Sequence, residues 1–270
     1  MAVESFDPLT AEDFYTRTRQ YMSEVDPAWE EDRVQQAIAA ERIHLAAVLG
    51  RGLGRQALDC SCGPGTQAIP LAELGWQVTG IDATPAVLAA ARTRAERSGV
   101  IADWRLGDMR KLTELFYTST FEVIVSCMAL DNILSDAGLL EAVQGMHDVL
   151  TPTGRCYLRL RDFDHLLEVR PRYEFREERM VPFGRVIRLD DWLYENEQYV
   201  VNTRVFLRED TRKDGYRWDS AAFAYRRRAL RKVELERLLD RAGFGSVRFL
   251  PQASRWDPFE VIAERISASG

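Results

Sequence analysis

Ala57-Leu58-Asp59-Cys60-Ser61-Cys62-Gly63-Pro64-Gly65-Thr66-Gln67-Ala68 starts as a short apolar run, ends that run on an acid, and breaks into a glycine-rich turn before a helical pattern opens at Thr66. A strand that passes through such a loop into a helix N-terminus lets a nucleotide-like cofactor lie against bare backbone. Outward from this stretch the chain alternates. Gln56 to Cys60 reads as a strand and Thr66 to Leu74 as a helix closed by Gly75. Gln77 to Ile81 is a second strand ending at Asp82, and Thr84-Pro85 sets an N-cap with proline at the first helical position. Val87, Leu88, Ala91 and Ala95 line one face of the helix that follows, and Gly99 ends it. A third strand, Ile101 to Leu106, runs into Gly107-Asp108-Met109-Arg110, and Phe121 to Cys127 is a continuous apolar strand of the kind buried on both faces. Ser135 or Asp136 caps a helix carrying Leu139, Leu140, Val143, Met146 and Leu150, and Arg155 to Arg161 forms a fifth strand.

This alternation predicts an α/β fold: a doubly wound, seven-stranded, mostly parallel sheet of Rossmann-like type with ligands at the carboxyl ends of its strands. Residues 1–54 read as an N-terminal helical cap, with one helix through Glu12 to Met22 and another from near Trp29 to Leu49, stopped by Gly50, Gly52 and Gly54. From Phe163 to Ala229 no helical period is visible. Three aromatic-rich alternating runs, Arg185 to Leu193, Gln198 to Arg208 and Ser220 to Ala229, predict an antiparallel β-cap inserted over 163–229, with a turn at Lys213-Asp214-Gly215. The helix Arg231 to Ala242 and the strands Ser246 to Leu250 and Phe259 to Ala263 return the chain to the main sheet. The Rossmann-like domain is thus expected over 55–162 and 230–270.

A formal charge of −6 over 270 residues argues against a nucleic-acid partner, whose phosphates would repel the domain. The basic run Arg226-Arg227-Arg228, followed by Arg231-Lys232, is expected to be a solvated face, since Glu234 and Glu236 follow at once. Met1-Ala2-Val3-Glu4 has no secretory pattern, and no apolar run is long enough for a membrane span, so a cytoplasmic protein with reduced thiols is expected. Cys60 and Cys62 have the wrong spacing for a zinc knuckle and no partner cluster, so no metal is expected. The β-cap can close its own site or pair with a neighbouring copy, which keeps a homo-oligomer among the expected states.

Gly63-x-Gly65-x-x-Ala68 followed by an acid at the next strand end satisfies the dinucleotide fingerprint in its weaker form. The acids favour S-adenosylmethionine instead. A carboxylate just before the glycines would oppose a pyrophosphate at the helix N-terminus, whereas Asp59 there suits a methionine ammonium. Asp82 is placed to accept ribose hydroxyls in either reading. Asp108 follows the third strand, where a carboxylate can accept a hydrogen bond from the adenine amine.

Leu58-Asp59-x-x-Cys62-Gly63-Pro64-Gly65-Thr66, Ile81-Asp82-Ala83-Thr84-Pro85 and Gly107-Asp108-Met109 resemble the motifs of class I S-adenosylmethionine-dependent methyltransferases. The resemblance implies a cofactor site formed by Asp59, Cys60, Gly63, Gly65, Thr66, Asp82, Ala83, Asp108, Met109 and Cys127. Leu160-Arg161-Asp162-Phe163-Asp164, followed by a β-rich insertion, resembles small-molecule N-methyltransferases of the glycine and sarcosine type. In that family the arginine of an Arg-x-Tyr-Asp motif binds the substrate carboxylate, a role the resemblance gives to Arg161. Phe163 replaces the tyrosine, and Ala129 to Leu134 does not reproduce the family's Leu-Gly-Asn-Ser form.

The expected activity is methyl transfer to an amine of an amino-acid-like or carboxylate-bearing small molecule. Transfer to oxygen or carbon, a non-catalytic cofactor-binding protein and a nicotinamide oxidoreductase are the alternatives. Asp131 and Asn132, just past the fourth strand, are candidates to bind or orient the nucleophile, and His165 is a candidate base. Tyr15, Tyr21, Trp192 and Tyr194 are candidate walls of the substrate cavity.

Overall fold

The computed structural model describes residues 8–25, 28–181, 184–195, 198–211 and 215–265. The Lys213-Asp214 part of the expected turn and the reading of Met1 to Glu4 lie outside the described residues. In chain order the elements are α1 (Ala11–Val25), α2 (Trp29–Val48), β1 (Gln56–Asp59), α3 (Ala68–Glu73), β2 (Gln77–Asp82), α4 (Pro85–Ser98), β3 (Ala102–Leu106), α5 (Leu112–Leu115), β4 (Phe121–Cys127), α6 (Asp136–Val149) and β5 (Leu150–Leu160). There follow α7 (Phe163–Val169), β6 (Tyr173–Val181), β7 (Gly184–Glu195), β8 (Gln198–Thr211), β9 (Gly215–Arg228), α8 (Lys232–Arg241), β10 (Ser246–Phe249) and β11 (Phe259–Glu264).

The chain divides into two compact units, one of residues 32–165 and 230–270 and the other of 1–31 and 166–229. The first is the Rossmann-like unit. Its sheet has seven strands in the order β10-β11-β5-β4-β1-β2-β3. Pairs among β1 to β5 are parallel, and β11 runs antiparallel to both β5 and β10. Because side chains alternate across a strand, each buried strand feeds two cores. Leu58, Ile124, Cys156 and Leu158 pack with Leu139, Val143 and Met146 of α6 and Leu235 and Leu239 of α8. Ala57, Val123, Val125 and Tyr157 pack on the other face with Leu45 of α2, Leu71 of α3 and Leu88 of α4.

The division differs from the expected helical cap over 1–54, since α2 groups with the sheet and not with α1. Leu45 and Leu49 belong to the same core as Trp76 and Tyr157. Arg159 on β5 also reaches Glu41 of α2 with two nitrogens and Glu260 of β11 at 3.0 Å. His44 Nε2 lies 3.1 Å from the Tyr157 hydroxyl and 3.0 Å from Glu260.

In the second unit β6 to β9 form a four-stranded antiparallel sheet, one strand more than the three alternating runs predict. The extra strand, Tyr173–Val181, reads YEFREERMV, and its many charges hide the alternation. Helix α7 corrects the expectation of no helix after Phe163; at seven residues it is too short for a periodic signal. Helix α1 packs through Phe14, whose ring stacks on Tyr225 with centroids 3.9 Å apart. Met22 and Val25 join Val186, Val205 and Leu207 in a common core. The run Arg226 to Arg228 is not the solvated face expected. Arg227 and Arg228 are 5% and 8% exposed, and the Arg227 guanidinium lies over the Tyr225 ring at 5.4 Å. Only Arg226 turns outward, to pair with Glu195.

Candidate active site

Strand order reverses between β1 and β4, which are neighbours in space although β2 and β3 intervene in sequence. Ligands bind in α/β sheets at such a switch point, beyond the carboxyl ends of the strands. Asp59 is the last residue of β1 and 1% exposed. Its Oδ1 accepts from the Ser61 amide at 3.3 Å, while Oδ2 is buried with no hydrogen-bond partner. Burial raises this carboxyl to about 8; Asp82 and Glu41 add to the rise, and the Ser61 and Ala68 amides only partly oppose it. A buried carboxylate oxygen without a donor costs free energy until a cationic donor meets it.

The loop after Asp59 is built for close approach. Gly63 and Gly65 have φ of 51° and 94°, and a Cβ on Gly65 would come within 2.8 Å of Ile69 Cδ1. The helix opens at Ala68, two residues later than expected, because Cys62 to Gln67 form turns. Arg94 of α4, 4% exposed, donates to the Pro64 carbonyl at 3.3 Å and fixes the loop from behind. Asp82 ends β2 and accepts from the amides of Gly63 and Thr84, both at 2.9 Å. Each of its oxygens keeps a lone pair for a hydroxyl. Ala83 is exposed and Thr84 sits at the N-cap position of α4, though its side chain makes no capping bond.

Asp108 caps the 3-10 turn Met109–Lys111 by accepting from the Arg110 amide at 2.9 Å. The Arg110 guanidinium also grips it, with Nε 2.9 Å from Oδ2. These bonds outweigh partial burial and hold its carboxyl below the usual range. This engagement was not legible in the spacing, although the carboxylate retains acceptor capacity toward an amine. Cys60 is buried with its Sγ 3.4 Å from the Val125 carbonyl. Cys127 ends β4 opposite Arg159. All four cysteines are free thiols.

Beyond β4 the chain turns sharply. Met128 is held at φ 59°, a left-handed conformation that costs free energy for any residue with a Cβ and tends to gather at functional sites. The turn delivers Asp131 and Asn132 in a 3-10 segment. Asp131 is 1% exposed, and Asn132 Oδ1 is buried without a hydrogen-bond partner. Arg161 follows β5 directly. Its neighbour Asp162 accepts from Lys232 Nζ at 2.8 Å, Gln252 Nε2 at 3.3 Å and the His165 amide at 3.1 Å. His165 is 8% exposed, and its ring packs edge to face on Trp256 with centroids 4.5 Å apart.

The structure therefore gathers Asp59, Cys60, Gly63, Gly65, Thr66, Asp82, Ala83, Asp108, Met109, Cys127, Asp131, Asn132, Arg161 and His165 on the carboxyl-end loops and strand ends of one unit. Tyr15, Tyr21, Trp192 and Tyr194 belong to the other. Within that unit Trp192 is 4% exposed and stacks on Tyr199 at 5.0 Å, which makes it core. The Tyr194 hydroxyl donates to the Pro171 carbonyl at 3.3 Å. Tyr21 packs against Phe223 with its hydroxyl unpartnered, and Tyr15 is 37% exposed. The residues around the carboxyl-end loops that sequence reasoning did not single out are Arg94, Met128, Gln252 and Trp256, while Lys232, expected on a solvated face, is instead bonded to Asp162 and Gln252. Apart from the turn character of Pro251 to Pro258, no local pattern marks the first four.

Residues 57–154 match the family model of a methyltransferase domain. That match, the sheet order and the orphaned carboxylate oxygen define the Rossmann-like unit as a class I S-adenosylmethionine-dependent methyltransferase domain. The residues fit the cofactor: Asp59 offers an ammonium its missing partner, and the glycine loop leaves backbone room. A ubiquinone biosynthesis O-methyltransferase of Methylocella silvestris is 37% identical over 87 residues, which are 32% of this chain and 33% of the relative. The chain thus spans about a third of that relative's length. Among solved structures, DesVI of Streptomyces venezuelae aligns over 91% of this chain and 98% of its own, with a TM-score of 0.69 and 19% identity. CalS10, an amino pentose methyltransferase from Micromonospora echinaspora solved with S-adenosylmethionine bound, aligns over 96% and 99% with a TM-score of 0.63 and 19% identity. At such identity these likenesses are of fold. Among the described residues no helix is long and apolar enough to cross a membrane, and no group of three His, Cys, Asp or Glu could hold a metal.

Proposed function

We propose that this chain catalyses S-adenosylmethionine-dependent methyl transfer to a small molecule, to an amine nitrogen of an amino-acid-like or carboxylate-bearing acceptor. When bound, S-adenosylmethionine supplies a methyl group on a sulfonium, already activated toward in-line displacement. Asp59 would hold its ammonium, Asp82 its ribose hydroxyls and Asp108 its adenine amine, with Gly63, Gly65, Thr66, Met109 and Cys127 lining the site. The protein's remaining work is orientation and exclusion of water, and orientation of reacting groups is worth on the order of 7–11 kcal/mol.

The observation that carries the nitrogen reading is Asn132 Oδ1, a buried acceptor with no donor, on the loop after the strand next to that of Asp59. A neutral amide oxygen orients an N–H and aims the nitrogen lone pair, but it is too weak a base to take a hydroxyl proton. Arg161 would fork onto the acceptor carboxylate, fixing direction as well as charge. The second reading is transfer to oxygen, supported by the names of the relatives over the cofactor-binding segment. Asp131 or His165 would then have to take the hydroxyl proton.

The test is transfer of labelled methyl from S-adenosylmethionine to a panel of amines and hydroxy compounds, read by mass spectrometry. Asp82→Ala should abolish binding of S-adenosylhomocysteine in calorimetry. Arg161→Ala should leave that binding intact and raise KM for the acceptor sharply. Unchanged KM and kcat in Arg161→Ala would sink the carboxylate clamp. S-adenosylhomocysteine, and not NAD, should raise the unfolding midpoint, since a ligand at 100 times its Kd stabilises by about 2.7 kcal/mol.

A further inference from the structure

The loop between β10 and β11 presents one aromatic side chain beside the acceptor end of the sheet. Phe259, the first residue of β11, pairs with Leu160, the last residue of β5, so residues 250–258 arrive next to Arg161. The loop is clamped there. Gln252 Nε2 donates to Asp162 at 3.3 Å and to the Asp257 carbonyl at 2.9 Å, and its Oε1 accepts from Lys232 at 2.8 Å. Lys232 is steadied in turn by Asp162 at 2.8 Å and by the Phe259 ring at 5.2 Å. Inside the loop, Ser254 Oγ accepts from the Trp256 amide at 3.2 Å and the Ser254 carbonyl from the Asp257 amide at 3.1 Å.

This framework holds Trp256 on its turn, with the indole 65% exposed and propped against the nearly buried ring of His165. Large aromatic surface left in water on a pinned loop gains free energy when an apolar partner covers it, and a planar ring can do so by stacking. The Trp256 loop leads into Phe259, which pairs with Leu160, the residue just before the arginine assigned to a carboxylate. We infer that Trp256 is the stacking platform of the acceptor site and that the acceptor is a carboxylate bearing a planar ring, its carboxylate on Arg161 and its ring on the indole. The inference rests on the proposed role of Arg161. It also gives His165 a different part from that of a base: its ring positions Trp256.

Benzoate and 4-aminobenzoate, with acetate and glycine as ringless controls, are titrated into the full chain saturated with S-adenosylhomocysteine, and binding is followed by calorimetry. Wild type should bind both aromatic carboxylates at least tenfold more tightly than the ringless ones. Trp256→Ala should lose about tenfold of that affinity, and Trp256→Phe should recover most of it. In both variants the affinity for S-adenosylhomocysteine should stay that of wild type, which also certifies the fold. If Trp256→Ala binds benzoate like wild type while Arg161→Ala does not, the platform is refuted and the carboxylate clamp stands. If neither substitution matters, or if wild type binds no aromatic carboxylate, both are refuted.

Discussion

Asp59→Asn should strengthen the ligand-free fold while removing its cofactor. The Asp59 carboxyl titrates near 8 in the folded chain against 3.8 for an unperturbed group, because burial penalises the charged form. An acid whose folded value is raised binds more protons folded than unfolded between the two values. Its stability contribution is therefore complete below about 3.8 and is lost as pH rises toward 8. Roughly three pH units separate the unfolded value from neutrality, at about 1.4 kcal/mol each, which sets a ceiling of about 4 kcal/mol at pH 7. Asparagine cannot ionise, keeps an oxygen for the Ser61 amide, and regains that energy. Urea unfolding of both proteins without ligand, between pH 4 and pH 8, measures the difference. The variant should be more stable at pH 7, and its advantage should shrink toward zero near pH 4. Calorimetry with S-adenosylhomocysteine should find no binding, since the ammonium has lost its counter-charge. An Asp59→Asn variant that is less stable than wild type at pH 7, or one with the same pH slope, would refute the picture of a buried, uncompensated carboxylate.

Gly65→Ala forces a Cβ into a left-handed backbone 2.8 Å from Ile69 Cδ1; it should cost about 1–3 kcal/mol in urea unfolding and weaken cofactor binding together. Lys232→Met leaves the Asp162 carboxylate without its cation and should destabilise by about 1–3 kcal/mol, discounted because the lysine is partly exposed. The Asp162 carboxyl is lowered chiefly by its bond to Lys232, against the opposing effect of burial. That contribution is present above the unfolded value and lost as pH falls through the folded one, so the gap between wild type and variant in pH-dependent unfolding should close in acid. Asn132→Ala should lower kcat by about 10–100-fold with little change in cofactor affinity, checked by steady-state kinetics beside calorimetry. An unchanged kcat would remove Asn132 from the nucleophile's surroundings.

The Rossmann-like sheet was legible because its signals are local: apolar runs of strand length, acids at their ends, and glycines such as Gly75 and Gly99 where helices stop. The acids at Asp59, Asp82 and Asp108 were visible as a set for the same reason. What the sequence hid depends on partners distant in the chain. Arg110 occupying Asp108 needed knowledge of the turn's geometry. The burial of Arg227 and Arg228 is set by packing within the β-rich unit, and a run of three arginines looks like a surface whatever covers it. Strand β6 mixes charges into both faces, so its period of two dissolves. Trp256 stands about a hundred residues from Arg161 in sequence, and only the pairing of Phe259 with Leu160 brings the loop that carries one to the strand that ends just before the other.

That same pairing governs how the protein comes into being. Strand β11 lies inside the sheet, between β5 and β10, and not at its rim. During synthesis, β1 to β5 emerge first and can assemble, but the outer side of β5 then faces water with its peptide groups unmatched. It stays so while about a hundred further residues are made. Most of those residues belong to the other unit, whose hairpins close over short distances and can fold meanwhile. The open flank of β5 is thus a transient hazard for strand pairing between nascent chains, ended only when residues 259–264 slide into place.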